Sequence, residues 1–250
     1  MTIPIDISEE SGIRYLHFGS EWIQGAMRIR KPDALELDYT REMMAGLLLR
    51  DAAWPKRVLL IGLGAGSLAK FIHRHLPEAH STVVEIAPEV HAVARQFFKL
   101  PDEDERLQIV IGDGADFVTQ DTRQWDLIAV DGFDRHARAG ALATQPFYEA
   151  CRARLSDRGL LAVNLFGQLR GFKTQVQRLG KAFEGRVLAL PELESGNVVA
   201  FGAVGEPVES SLAELRVRAA SLKAATGLDL TPTLRRLEKS GILSDGRLDF

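Results

Sequence analysis

The strongest constraint on this chain is an apolar run that breaks into alternating glycines. Residues 58–66 read VLLIGLGAG, and a second apolar run, TVVEI, brings Glu85 nineteen residues past Gly66. A buried parallel strand reads as a continuous apolar stretch, and glycines at its end let the backbone turn tightly beside a ligand. An acidic residue at the end of the next strand is placed to accept hydrogen bonds from ribose hydroxyls. The sequence therefore predicts a nucleoside site formed by Gly62, Gly64, Gly66 and Glu85.

The glycine pattern also limits which nucleoside fits. The spacing is G-x-G-x-G, and Ser67 stands where the dinucleotide-binding pattern has its last glycine. This favours nucleosides that are bound without a pyrophosphate, such as S-adenosylmethionine and its relatives, over NAD. A tight strand-to-helix turn that binds nothing is the alternative interpretation of the glycines alone.

The order of apolar patterns predicts the fold class. From Lys56 onward, strand-like runs alternate with helical ones, which predicts an α/β fold with a doubly wound, mostly parallel sheet whose last strands are antiparallel. Residues 1–31 predict short strands that form a small β-hairpin unit, and the apolar spacing over 34–50 predicts a helix. The C-terminal tail predicts further helices. We expect an N-terminal unit over residues 1–50 and a nucleoside-binding domain over 51–250.

Composition excludes several other functions. The chain has 250 residues, a net charge of -3 and one cysteine, Cys151. This charge gives no field to attract nucleic acid, and one cysteine excludes an intramolecular disulfide and a cysteine-based zinc site. The sequence shows no secretory signal and no apolar run of about 18 residues that would span a membrane. We expect a cytoplasmic protein with no metal, no nucleic-acid partner and no membrane partner.

Acidic residues follow several of the predicted strands. Glu85, Asp113, Asp131 and Asp134 all come at or just after a strand end. Ligands of open parallel sheets lie over the carboxyl ends of the strands, so these carboxylates are expected on one rim. Asp113, followed by Gly114, is placed to accept from an adenine amino group. Each acid alone could equally be a helix cap or a turn residue.

A carboxylate beside the reactive end of a sulfonium nucleoside suits transfer to an amine. A free alkylamine has a pKa near ~10.4, so it is protonated at neutral pH and must lose a proton before it attacks. A neighbouring carboxylate can hold the ammonium and accept that proton, and the thioether leaves without an acid. We expect Asp131 to be the base and Asp134 to bind the amine, although the two roles could be exchanged.

From about Gly25 to Gly202 the chain resembles the polyamine aminopropyltransferases, the spermidine synthase family. The resemblance lies in the segments VLLIGLGAGSLAKFI, VVEIAPEV, VIGDGADFV, LIAVDGFD and PFYEACRARLSDRGLLAVN, in this order. It implies a Rossmann-like domain of the class I methyltransferase type with Glu85 on the ribose, Asp113 on the adenine and Asp131 as base. Gln24 would lie in a hairpin that reaches over the donor. It also implies decarboxylated S-adenosylmethionine as co-substrate, no permanently bound cofactor, a small amine acceptor and a homodimer.

Departures from the family pattern fall on its amine-binding half. Ala65 and Ala87 stand where the family has aspartates, and Thr40 and Leu193 align with tyrosines. The stretch 135–138 adds two arginines. These changes predict an amine site that has lost aromatic and acidic partners.

Three functions of different classes are therefore open from the sequence. The first is aminopropyl transfer to an amine acceptor. The second is methyl transfer from intact S-adenosylmethionine, whose own carboxylate the added arginines could accept. The third is a non-catalytic nucleoside-binding homologue. The presence of both Asp131 and Asp134 argues against it, because such a protein would have no chemical need for the pair.

Overall fold

Strands and helices alternate over most of the chain in the computed structural model, which describes residues 4–51, 53–133, 138–168 and 170–250. The strands are β1 (Asp6–Glu10), β2 (Ile13–His17), β3 (Ile23–Arg28), β4 (Arg57–Ile61), β5 (His80–Glu85), β6 (Leu107–Ile111), β7 (Trp125–Val130), β8 (Leu155–Phe166), β9 (Val187–Ala189), β10 (Asn197–Ala203), β11 (Glu209–Ser211) and β12 (Arg247–Asp249). The α-helices are α1 (Asp38–Met43), α2 (Ser67–His75), α3 (Pro88–Phe97), α4 (Gly114–Gln120), α5 (Gln145–Ala153), α6 (Phe172–Ala182), α7 (Leu212–Thr226) and α8 (Thr231–Lys239). Short 3-10 helices cover Met44–Leu48 and Gly140–Ala143. The alternation from β4 onward confirms the predicted α/β fold.

The central sheet has seven strands in the order β6-β5-β4-β7-β8-β10-β9. The strands from β6 to β8 in this order pair in parallel, whereas β10 is antiparallel to both β8 and β9. This confirms the doubly wound, mostly parallel sheet with antiparallel strands at its end. The chain places β5 and β6 on one side of β4 and β7 on the other. In such sheets ligands bind at the carboxyl ends of the strands, where the strand order reverses.

Successive residues of β4 pack into two separate apolar layers. Leu60 belongs to the layer that holds apolar residues of α2, α3 and the C-terminal helices. Leu59 and Ile61 belong to the layer formed with α4, α5 and α6. Because neighbouring side chains of a strand point to opposite faces, helices on both faces require an apolar residue at every position. This explains the apolar run from Val58 to Ile61 in β4.

The N-terminal strands form a small sheet of their own in the antiparallel order β1-β2-β3. These strands confirm the short N-terminal strands expected over residues 1–31, with β1 paired to β2 and β2 paired to β3. Gly25 in β3 lies directly on the glycine loop that follows β4, because a Cβ at Gly25 would come 2.6 Å from the Cβ of Ala65. This close approach seats the small sheet over the carboxyl edge of the large one.

The helix predicted over 34–50 is wrong in its extent. The α-helix covers only Asp38–Met43, and a 3-10 helix follows it. Leu37 is extended, and the guanidinium of Arg41 donates to the carbonyls of Leu35 and Glu36 at 2.8 Å and 2.7 Å. Those bonds hold the preceding chain out of the helix, although its apolar spacing is helical.

The C-terminal tail forms the expected helices, α7 and α8. It also contains the short antiparallel pair β11–β12, which the sequence did not predict because strands of three residues carry no periodic signal. Within the ranges described, no helix has the length and apolar character needed to cross a lipid bilayer. The division of the chain at residue 50 stays a prediction.

Candidate active site

A cavity of about 1110 Å³ opens over the carboxyl ends of β4, β5, β7 and β8. Its volume lies slightly above the range that is usual for small-molecule sites. Of the predicted site residues, those that line it are Gln24, Gly62, Glu85, Asp113, Gly114 and Asp131. The predicted site residue Asp134 lies outside the described residues, as do Arg135 and His136. The structure therefore gathers six predicted site residues around one space.

Glycine is required at the turn that leaves β4. Gly62 has a φ of 95°, and a Cβ there would lie 2.2 Å from the carbonyl oxygen of Asp131. Gly66 has a φ of 69° and is the N-cap of α2. Gly64 and Gly66 do not line the cavity, so their contribution is the shape of the loop. Only Gly62 of the three lies at the cavity surface.

The Glu85 carboxylate is fixed in the cavity wall by two backbone donors. The N–H of Leu63 donates to Oε2 and the N–H of Ala87 donates to Oε1, each at 2.9 Å. Glu85 is only 7% exposed, and burial raises the pKa of its carboxyl while these backbone N–H groups offset part of the rise. Each oxygen keeps a second lone pair, so the carboxylate can still accept from a pair of ligand hydroxyls.

Asp113 both caps a helix and lines the cavity. Its Oδ1 accepts from the N–H groups of Ala115 at 2.7 Å and Asp116 at 3.2 Å, which caps α4. The following Gly114 also lines the cavity, and a Cβ there would come 2.4 Å from Cγ2 of Ile61. Asp113 is therefore a helix cap, and its place in the cavity lining leaves its role toward a ligand as a prediction.

Asp131 directly follows β7 and is half-buried at the cavity. Its Oδ1 accepts from Nδ2 of Asn164 at 2.9 Å, and the hydroxyl of Tyr39 donates to the same carboxylate. Burial raises the pKa of the Asp131 carboxyl, and the two hydrogen bonds oppose that rise. A carboxylate held by two donors and open to the cavity can accept a proton from a bound amine.

Tyr39 is a site residue that sequence reasoning missed. The expectation placed Thr40 at the family's tyrosine position, but the Thr40 hydroxyl donates to the carbonyl of Leu37 at 2.6 Å, and Thr40 is buried in α1. Tyr39 instead lines the cavity. The adjacent tyrosine was the available signal, and a shift of one residue along a helix turns the side chain by about 100°.

The cavity wall contains aromatic and acidic groups at positions other than Ala65, Ala87, Thr40 and Leu193, where the sequence departs from the family pattern. Phe166 contacts both Phe133, at 4.9 Å between ring centroids, and Trp22, at 6.1 Å. Trp22 is 56% exposed and lines the cavity. The carboxylates of Glu21, Glu36 and Asp38 lie in the same wall. Aromatic faces and carboxylates together attract cations.

The arginines noted in the sequence separate in space. Arg41 binds Leu35, Glu36 and Asp38 and does not line the cavity. Arg138 does line it. Leu193 is buried and, like Ala65, lies outside the cavity lining. Among the described residues, Arg138 shares the cavity lining with six carboxylates, namely Glu21, Glu36, Asp38, Glu85, Asp113 and Asp131. Two of these are already ion-paired, Glu36 with Arg28 and Asp38 with Arg41.

Comparison with known proteins identifies the family of this chain. The spermine/spermidine synthase domain matches residues 37–186. A polyamine aminopropyltransferase of Chromobacterium violaceum is 41% identical over 244 residues, which cover 98% of this chain and 93% of that protein. The polyamine aminopropyltransferase of Neisseria meningitidis serogroup A is 40% identical, covering 94% of this chain and 89% of that protein. The structure of a probable spermidine synthase from Corynebacterium glutamicum has the same fold, with a TM-score of 0.73, 22% identity and coverage of 88% of this chain and 84% of that one. The chain therefore belongs to the spermine/spermidine synthase family.

Proposed function

We propose that this protein transfers an aminopropyl group from decarboxylated S-adenosylmethionine to a small amine, with Asp131 as the base. The observation that carries the proposal is the Asp131 carboxylate, held by Asn164 and Tyr39 in the same cavity as Glu85. The relatives named polyamine aminopropyltransferase, which match nearly the whole chain, support this reaction over the other two. The donor is a co-substrate, and the reaction needs no permanently bound cofactor.

The residues of the cavity fit such a donor. Glu85 offers two carboxylate oxygens to the ribose hydroxyls, and the free oxygen of Asp113 can accept from the adenine amino group. The sulfonium and the amine are both cationic, and the acidic and aromatic wall attracts cations.

The proposed reaction is a displacement at carbon. The acceptor ammonium loses a proton to the carboxylate of Asp131, and the nitrogen lone pair forms a bond to the aminopropyl carbon. The carbon–sulfur bond breaks, and its electron pair stays on sulfur, which leaves as neutral methylthioadenosine. Because the leaving group is neutral, no general acid is required, and alignment of the two substrates supplies much of the rate. A role for Asp134 in amine binding stays a proposal from the sequence.

Product analysis tests the reaction. The purified protein is incubated with decarboxylated or intact S-adenosylmethionine and a mixture of diamines, and the nucleoside products are measured by mass spectrometry. Methylthioadenosine from the decarboxylated donor is expected. S-adenosylhomocysteine from the intact donor would indicate methyl transfer, and nucleoside binding with neither product would indicate the non-catalytic alternative.

Two substitutions test the assigned residues. Asp131→Asn should lower kcat by roughly 10²–10⁴-fold, as expected for loss of a general base, and leave nucleoside affinity unchanged. Glu85→Gln should weaken nucleoside binding, because its amide cannot accept from both Leu63 and Ala87. Glu89→Gln, on α3 and outside the cavity lining, is the control. Full turnover in Asp131→Asn would reject Asp131 as the base.

We also propose, from the resemblance, that the protein assembles as a homodimer, which sedimentation equilibrium would test. A cytoplasmic location stays a prediction from the sequence.

A further inference from the structure

A chain of hydrogen bonds reaches Asp131 from three other residues that line the cavity. The Ser195 hydroxyl donates to Oδ1 of Asn197 at 2.7 Å, and Nδ2 of Asn197 donates to Oδ1 of Asn164 at 2.9 Å. Nδ2 of Asn164 then donates to Oδ1 of Asp131 at 2.9 Å. We call Ser195, Asn197 and Asn164 the amide relay. Asn164 and Asn197 are 3% and 5% exposed, on the neighbouring strands β8 and β10.

The relay has a fixed direction, because an amide donates at one end and accepts at the other. An ionised carboxylate accepts hydrogen bonds only, so Asn164 must present its NH₂ to the ionised form of Asp131. That orientation leaves the Asn164 oxygen facing Asn197, which must therefore donate. Asn197 in turn keeps its own oxygen toward the Ser195 hydroxyl. In this arrangement the direction of every hydrogen bond in the relay favours the ionised form of Asp131.

A reversed Asn164 amide would place its oxygen against the carboxylate. Two acceptors in contact repel, and a buried polar atom without a partner costs about 1–3 kcal/mol. The protonated form of Asp131 would relieve this repulsion by donating to that oxygen. The orientation of one amide therefore biases the protonation state of the base.

We propose that Asn197 and Ser195 are positioning residues, which act through Asn164 to keep Asp131 in its proton-accepting form. Neither residue is hydrogen-bonded to Asp131 itself. Among the residues that the structure describes, the titratable and charged groups that share this cavity with Asp131 are Glu21, Glu36, Asp38, Tyr39, Glu85, Asp113 and Arg138. The three side chains of the relay are neutral, so they act on Asp131 through hydrogen bonds and add no charge to this set. The proposal rests on the proposed function in taking Asp131 as the base.

The test uses neutral substitutions, which add no charge beside Asp131. Asn197→Leu keeps much of the side-chain volume and removes the donor that orients Asn164. We expect the pKa that defines the acidic limb of the kcat/KM pH profile to rise by about one unit. At pH values below that pKa, kcat/KM should then be about tenfold lower than in the wild type. Ser195→Ala should move this pKa in the same direction by less, and Ser195→Thr, which keeps the hydroxyl, should restore the wild-type limb. Val198→Ala removes buried volume beside the relay and should leave the limb in place.

A double-mutant cycle separates the relay from independent damage. Asn164→Leu should raise the pKa of the acidic limb at least as far as Asn197→Leu does. The double variant should have the same pKa as Asn164→Leu alone, because the two residues act in series. An additive shift in the double variant would overturn the proposal. So would an Asn197→Leu protein whose only change is a higher KM for the amine, since that result makes Asn197 a substrate contact.

A measurement of the Asp131 pKa that needs no turnover distinguishes a failure of the relay from a failure of the proposed function. The pKa of Asp131 is followed by NMR of ¹³C-carboxyl-labelled aspartate, with its signal assigned from Asp131→Asn. A higher Asp131 pKa in Asn197→Leu upholds the relay even if the wild-type protein transfers no aminopropyl group, which would reject the proposed function alone. An unchanged Asp131 pKa in a folded Asn197→Leu protein rejects the relay.

Discussion

The hydroxyl of Tyr39 donates a hydrogen bond to the carboxylate of Asp131, across the gap between α1 and the end of β7. Burial is the largest cause that raises the pKa of the Tyr39 phenol, and the neighbouring Asp131 charge raises it further. The phenol therefore keeps its proton over the range in which an enzyme works and remains a donor. This contact ties the short α1 helix directly to the proposed base.

Tyr39→Phe should impair catalysis while leaving nucleoside binding intact. A hydrogen bond to a charged group contributes about 1.5–3 kcal/mol, so we expect kcat/KM near neutral pH to fall roughly tenfold or more. The acidic limb of the pH profile should also rise, because Asp131 loses one of the donors that stabilise its ionised form. Steady-state kinetics over a range of pH measures both effects.

Thr40→Val is the matched control for Tyr39→Phe, since it removes the neighbouring hydroxyl on the same helix. That hydroxyl donates only to the carbonyl of Leu37 among the described contacts, so kinetics should stay close to wild type. A larger kinetic loss in Thr40→Val than in Tyr39→Phe would contradict the assignment of Tyr39 to the site.

Gly62→Ala should disrupt both the fold and the site. The added Cβ would lie 2.2 Å from the carbonyl oxygen of Asp131, at a backbone with φ of 95°. Overpacking of a rigid backbone costs about 1–3 kcal/mol, and the left-handed conformation adds to this cost. We expect a lower midpoint of thermal unfolding and loss of turnover. Gly112→Ala is the control, because nothing lies within 4 Å of a Cβ there, and equal destabilisation of the two variants would refute the steric explanation.

Two substitutions at Asp113 should separate its capping role from its ligand role. Asp113→Ala removes the N-cap of α4 and should cost about 1 kcal/mol of folding stability along with nucleoside affinity. Asp113→Ser keeps a capping oxygen but offers no second carboxylate oxygen to a ligand. It should therefore retain most of the stability and still bind nucleoside weakly. Urea denaturation and calorimetric titration with methylthioadenosine measure the two quantities, and wild-type affinity in the serine variant would remove Asp113 from the ligand site.

Stability should depend on pH through Glu42, which is 1% exposed and pairs with Arg236 of α8. Burial outweighs that ion pair and raises the Glu42 pKa from 4.5 to about 6. The folded protein thus binds this proton more tightly than the unfolded chain. The resulting stability, about 2 kcal/mol, is present below about pH 4.5 and is lost as the pH rises through about 6.

Glu42→Gln isolates this contribution from those of the other carboxyl groups. The free energy of unfolding of wild type relative to Glu42→Gln should fall as the pH rises from about 4.5 to 6, measured by urea denaturation at several pH values. Arg236→Gln removes the cation and should raise the Glu42 pKa further, which extends the window to higher pH. A difference between wild type and Glu42→Gln that is independent of pH would contradict this account.

The elements and half of the site could be predicted because their causes are local. The apolar run before Gly62 and the acids that follow each strand are adjacent in the chain to the turns that position them. Parallel strands bring their carboxyl ends to one edge whatever the loops between them, so Glu85, Asp113 and Asp131 meet in one cavity.

The rest of the site depends on contacts that no local pattern specifies. Whether Tyr39 or Thr40 faces Asp131 depends on where α1 begins, and the bonds from Arg41 to Leu35 and Glu36 help to set that point. The direction of the amide relay depends on the pairing of β8 with β10, which brings Asn164 beside Asn197. The sequence by itself determined the sheet, its glycine turn and the carboxylates on its rim, because period and spacing act within one strand and the next. Only the tertiary structure decided what surrounds Asp131, because the partners of a buried carboxylate come from distant segments whose side chains meet only when the chain has packed.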